Sequence, residues 1–241
     1  MNASSSFRRE NGRRENDAHR IHWMPDRIRK HKSLWGWTAL LLIVNLPLLW
    51  GEIRTELLFL PEAAAQGQWW RVITFPLVHL SWYHFLLDAS GFLLLLGCLE
   101  EKRGFPRALY IGGSGAGALL LALALNPAVI QQGLSGLSGV AHGLMAIAAL
   151  EMLRHRDQRR WGWMSLLTVV GKSAYELWTG KILFEFIHMG LCGQPMAASH
   201  AGGVAGALIA FAVVHTRPGK DHDIPDEMQG EKHDPTILPN P

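Results

Sequence analysis

Residues 108–150 contain no Asp, Glu, Lys or Arg, and residues 186–216 contain none either. A soluble fold of 241 residues has no use for uncharged runs of 43 and 31 residues, because its surface must be solvated along the whole chain. A bilayer demands them, since a helix needs about 20 consecutive apolar residues to cross a hydrocarbon core about 30 Å thick. The charge distribution agrees. Of the 43 charged residues, 22 fall in positions 1–33 and 216–241, which leaves the stretch from Leu34 to His215 charge-poor. That stretch carries about 12% charged residues, against roughly a quarter in soluble proteins. This pattern excludes a disordered chain, a disulfide scaffold and a nucleic-acid binder whose basic residues form one patch. Cys98 and Cys192 lie in separate apolar stretches and imply no disulfide framework.

Six helices of bilayer length are expected, over about 34–50, 79–99, 107–125, 136–153, 160–179 and 199–215. Asn126-Pro127 divides the longer uncharged run, because proline disfavours helix in the residue before it. The segment from Arg154 to Arg160 separates the fourth span from the fifth. The first apolar run follows a long basic segment and reads as an uncleaved anchor rather than a signal peptide. Six spans place both termini on one side, and 19 of the 23 Lys and Arg residues then fall on that side. Positive residues stay cytoplasmic, so both tails are expected in the cytoplasm. The expectation is an all-α polytopic membrane protein. Residues 1–33 form a basic, disordered tail, 34–215 the six-helix membrane domain, and 216–241 a second polar tail. Gly112-Gly113-Ser114-Gly115-Ala116-Gly117 lies inside a span, where small residues permit close helix packing rather than phosphate binding.

Polar residues inside the spans are costly and therefore informative. They are His79, His84, Asp88, Ser135, Ser138, His142, Lys172, Glu176, His188 and His200. Even-numbered helices run from outside to inside, so their N-terminal ends lie toward the outer surface. His79, His84 and Asp88 open the second helix, Ser138 and His142 the fourth, and His200 the sixth. One polar site near a single depth follows from that convergence. A histidine beside a serine can accept its proton and make it a nucleophile. Free N–H groups at the start of the fourth helix, with a His84 side chain, could stabilise an oxyanion. Three other readings of the same residues stay open. Serines and histidines could simply pack a tight helix crossing. Histidines could bind a metal, although no HExxH pattern is present. Lys172 and Glu176, four residues apart on one face, could neutralise each other or couple transport.

These residues also resemble a known family. Trp69-Trp70-Arg71, then His79, His84 and Asp88, then Glu101-Lys102-Arg103-Gly104 resemble the first loop and second helix of rhomboid intramembrane proteases. Gly136-Leu137-Ser138-Gly139 followed by Gly143 resembles the rhomboid GxSG motif, and Ser199-His200 with Gly202, Gly203 and Gly206 resembles the sixth-helix motif. The form GLSGVAHG and the short six-span core are similar to rhombosortases, a bacterial subfamily linked to substrates with C-terminal Gly-Gly sorting tails.

The resemblance implies a Ser138 nucleophile and a His200 base, a dyad without an acidic third member. It implies an oxyanion hole from the Ser138 N–H and His84, with His79 and Gly136 in support. GLSGLSG also contains a second match centred on Ser135, but only Ser138 has Gly143 at the family spacing. Asp88 departs from the family, where an asparagine donor is common; it is either a protonated donor or turned toward a histidine or Lys172. His142 takes a position where rhomboids stack an aromatic on the catalytic histidine. Lys172 and Glu176 would either neutralise each other or recognise a polar substrate signal. Residues 181–198, with Met189-Gly190, Cys192-Gly193 and Met196, are expected to cap the site. The implied protein is an intramembrane serine endopeptidase of a bacterial inner membrane, acting on single-pass membrane protein substrates from the periplasmic side. It needs the lipid bilayer, no cofactor or metal, and no nucleic acid. A non-catalytic, client-binding rhomboid-like protein is the alternative.

Overall fold

The computed structural model describes residues 24–183 and 197–216. The cap expected around His188, Met189, Cys192 and Met196, and most of both tails, lie outside the described residues. Among the described residues the structure is helical, with one isolated antiparallel bridge between Phe59 and Leu134. Six long helices are labelled here α1 (Met24–Asn45), α2 (Trp82–Cys98), α3 (Gly104–Leu125), α4 (Ser138–Leu153), α5 (Arg159–Thr179) and α6 (Ala197–Thr216). Short helical turns fill the connections between α1 and α2 and between α3 and α4.

Local chemistry accounts for the helix ends. Helix α2 begins at Trp82 rather than at 79, because Ser81 is extended and its hydroxyl caps the His84 N–H. His79 therefore lies in the extended segment before the helix. Helix α3 stops before Asn126-Pro127, as proline requires. Helix α4 begins at Ser138 rather than 136, because Gly136 has φ +95° and cannot be helical. Helix α1 begins ten residues before the expected 34, inside the basic segment. A helix needs apolar residues only where lipid surrounds it, so the charge boundary at residue 33 does not end it.

Among the described residues, three stretches are long and apolar enough to cross a membrane: Ser33–Trp50, Gly104–Leu125 and Ala197–Thr216. Arg71–Leu77 and Trp82–Cys98, bent by 95° at their junction, form a fourth if they count as one broken span. Helix α4 has only 16 residues, and α5 carries Arg159, Arg160, Lys172 and Glu176. Length and charge thus keep these two below the threshold for a solitary span. Leu94, Leu120, Leu167 and Ile209 point outward, as lipid-facing residues do.

Helix α6 is central and packs on α3, α4 and α5. Its contact with α3 is set by glycine, since a Cβ on Gly202 would meet the Gly117 carbonyl and one on Gly206 the Gly113 carbonyl. Its contact with α4 repeats the device, because a Cβ on Gly203 would meet the Gly139 carbonyl. Without a hydrophobic force between helices in lipid, such backbone contact is what holds them together. We expect Gly206→Val to destabilise the fold by about 1–3 kcal/mol through overpacking. Gly112→Ala, with no atom within 4 Å of its Cβ, should stay within about 0.5 kcal/mol of the parent. Unfolding in mixed detergent micelles measures both; equal stability of the two variants would contradict the packing described.

Candidate functional site

The Gly133–Ser138 strap is held by main-chain bonds to two neighbouring segments. Phe59 and Leu134 exchange N–H···O bonds of 3.0 and 2.9 Å, and the Gly136 N–H donates to the Phe75 carbonyl at 3.0 Å. The first loop that supplies Phe59 is itself organised by Arg71. Its Nη1 donates to the Thr55 and Leu58 carbonyls at 2.6 and 2.7 Å, and its Nε to Gln68 at 2.7 Å. The Trp70 indole N–H donates to the Glu56 carbonyl at 3.2 Å. Trp70 and Arg71 of the motif thus build the loop that positions the strap. At Gly136 a Cβ would lie 2.7 Å from His84 Nε2 and 2.9 Å from Asp88 Oδ2, so glycine is required twice, by φ and by space.

A first polar group surrounds Asp88. Its Oδ2 accepts the Ser138 N–H at 3.0 Å and lies 3.2 Å from His84 Nε2 and 3.6 Å from His79 Nε2. The Leu80 N–H donates to His84 Nδ1, so the proton of His84 sits on Nε2 and points at Asp88. His79, fully buried, is anchored by Asn45. The Asn45 carbonyl oxygen accepts from the His79 main-chain N–H and lies 3.1 Å from its Nδ1. The Asn45 amide donates to the Leu41 and Leu77 carbonyls, both at 2.8 Å. Of the two geometries open to Asp88, the structure has it turned toward histidines, and it occupies the N–H that was expected to be free at the start of α4.

A second polar group joins α4, α5 and α6. His142 donates from Nδ1 to the Ser138 carbonyl at 2.7 Å, which leaves Nε2 to accept from Lys172 Nζ at 2.8 Å. Lys172 also pairs with Glu176 Oε1 at 2.6 Å, and the other carboxylate oxygen accepts from His200 Nδ1 at 2.7 Å. The Leu183 N–H completes the set on Oε1 at 3.0 Å. His142 and His200 stack with centroids 4.0 Å apart and planes 9° from parallel. The expected aromatic-like role of His142 has its geometry here. The resemblance implied a dyad without an acidic third member; in the structure the Glu176 carboxylate lies against His200 Nδ1. Among the described residues the Ser138 contacts run through its main chain, and a Ser138 Oγ–His200 bond is not among them; sites without substrate often close that bond only on binding.

By donor atoms alone, His142, Glu176 and His200 lie close enough to approach one cation. Their chemistry does not fit a metal. The Lys172 ammonium already takes His142 Nε2 and a Glu176 oxygen, and His200 turns a protonated nitrogen to the carboxylate. At the opposite end of the bundle, the Glu151 carboxylate accepts the Glu100 and Glu101 N–H groups at 2.7 and 3.1 Å. The Arg103 guanidinium beside Glu101 holds its carboxyl below the usual range.

The Asp88 and His200 groups converge on Ser138, in a helical membrane protein. The chain belongs to the rhomboid family, because the Rhomboid domain matches residues 66–217, well over half of it. Members of that family are generally intramembrane serine proteases. No curated protein and no solved structure matches the chain.

Sequence reasoning named every side chain of both groups except Asn45. The signal for Asn45 was present: it is the one amide in the apolar run 34–50. Asp88→Ala leaves the part-buried Ser138 N–H without its acceptor, a cost of about 1–3 kcal/mol. Asp88→Asn keeps an acceptor and should cost less than about 1 kcal/mol. Thermal unfolding of the two variants checks this, and an alanine variant no weaker than the asparagine one would contradict it.

Proposed function

We propose that the chain is an intramembrane serine endopeptidase in which Ser138 is the nucleophile and His200 its general base. The observation that carries the reading is the state of the His200 ring. Its Nδ1 is committed to Glu176, its plane is fixed by the His142 stack, and His142 is tied to the Ser138 carbonyl. When neutral, a ring held this way carries its proton on Nδ1 and turns the Nε2 lone pair away from Glu176, the arrangement a base must have. Ser138 begins α4, at the positive end of a helix dipole.

The Ser138 N–H and the His84 Nε2–H supply the oxyanion donors, with His79 behind them. Both donors face Asp88 Oδ2 in the resting arrangement, so the substrate carbonyl shares them with the carboxylate or displaces it. The domain spans the membrane six times with both tails in the cytoplasm of a bacterial inner membrane, and the site opens to the periplasmic side. The 19-of-23 bias of basic residues supports that orientation. The substrates are single-pass membrane proteins, cut near their outer membrane boundary. GLSGVAHG and the short core support the rhombosortase subfamily and therefore C-terminal Gly-Gly sorting tails as substrates. The acyl-enzyme is resolved by water or by an amine. The non-catalytic alternative draws on Asp88, whose carboxylate stands where the family commonly has a donor.

Two experiments separate these. Purified protein in liposomes should cleave a single-pass substrate with a Gly-Gly tail, and Ser138→Ala and His200→Ala should each lower the rate at least 10³-fold. Binding without cleavage would favour the client-binding alternative. Membranes of cells lacking the protein should accumulate uncut Gly-Gly tails, whereas intact processing would remove the subfamily assignment.

A further inference from the structure

We propose that Glu176 is the positioning residue of His200, so that the site is a serine–histidine–carboxylate triad assembled from α4, α6 and α5. The inference rests on the protease reading and changes its chemistry from a dyad. Three observations carry it.

The first is burial. Glu176 is 0% exposed, and an ionised carboxylate so buried is costly unless it is paired and hydrogen-bonded. The second is how its oxygens divide. Oε1 takes the Lys172 ammonium and the Leu183 N–H, which suffices to neutralise a buried Lys–Glu pair. Oε2 is left over from that task and is spent wholly on His200 Nδ1 at 2.7 Å. Mutual neutralisation of Lys172 and Glu176 does not explain that bond; holding the imidazole in one tautomer does. The third is the state of the neighbouring ring. Lys172 donates to His142 Nε2 while His142 Nδ1 donates to the Ser138 carbonyl, so His142 is neutral. The ring stacked on His200 therefore adds no positive charge where an imidazolium must form. A single ammonium thus holds both the carboxylate that orients His200 and the ring that flanks it.

In the reaction, the Ser138 hydroxyl proton passes to His200 Nε2 as the Oγ–C bond forms and the carbonyl π pair moves onto oxygen. The imidazolium then gives that proton to the departing amine as the C–N bond breaks. Glu176 keeps its charge throughout, holding the Nδ1 proton and stabilising the imidazolium.

The test uses the full-length protein in liposomes with a single-pass substrate. Glu176→Gln should lower kcat about 100-fold or more with KM within about threefold, because orientation of the base matters in the transition state and not in substrate binding. Glu176→Asp should recover part of the loss. A folded Glu176→Gln protein with kcat within about threefold of the parent would overturn the proposal. If that variant does not fold, Lys172→Met/Glu176→Gln leaves no unpaired ammonium and should show the same loss. A measurement on the unaltered protein decides independently of any variant. Nitrogen-15 spectra of histidine-labelled protein should show His200 protonated at Nδ1 and bare at Nε2, with a strongly downfield Nδ1 proton. The opposite tautomer would overturn the triad. Absence of Ser138-dependent turnover in the unaltered protein would instead remove the protease reading, while the spectra would still report whether Glu176 orients His200.

Discussion

A carboxylate with no exposure inside an apolar bundle must be met by donors from its own chain, and Glu176 is met by three. Those donors come from α5 itself, from the turn that follows it and from α6. The Glu176–His200 bond therefore ties α5 to α6 in addition to their packing. Lys172 extends the constraint to α4 through His142, and His142 extends it to the Ser138 main chain. Replacing the carboxylate by an apolar group would leave the buried His200 Nδ1–H without an acceptor and the Lys172 ammonium without its counter-charge, and breaking a buried pair in this way is strongly destabilising.

Such a network needs helices close enough for short side chains to reach, and the glycines of α3, α4 and α6 provide that. A Cβ at Gly139 would lie 2.7 Å from the Ser199 hydroxyl, so α4 and α6 touch through a position with no side chain. Gly143 makes a similar contact with Ser114 and with the Gly203 carbonyl. Main-chain bonds from Phe59 and Phe75 then fix the strap that leads into Ser138. The bundle and the strap meet at one residue.

Much of the fold was legible because its determinants are local. Apolar length, the Asn126-Pro127 break and the charged 154–160 segment located the helices, and α3 to α6 begin and end within three residues of expectation. The large departure, ten residues at the start of α1, comes from helix that continues into the charged segment, and the three-residue delay of α2 comes from the Ser81 cap. The members of the site were legible for a different reason: in lipid each polar side chain is costly, so Asp88, His142, Lys172, Glu176 and His200 stand out. Their pairing was legible only in part. Spacing of four predicted Lys172 with Glu176, and that pair exists, but the partner of the second carboxylate oxygen lies 24 residues away on another helix. The Phe59–Leu134 bridge joins main-chain groups, which leave no mark on residue identity.

The central claim is that these contacts make Ser138 a nucleophile. Labelling the purified protein with a fluorophosphonate and mapping the adduct by mass spectrometry tests it directly. The adduct is expected on Ser138, and its formation should be lost in His200→Ala. An adduct on Ser135, or labelling unchanged without His200, would contradict the account.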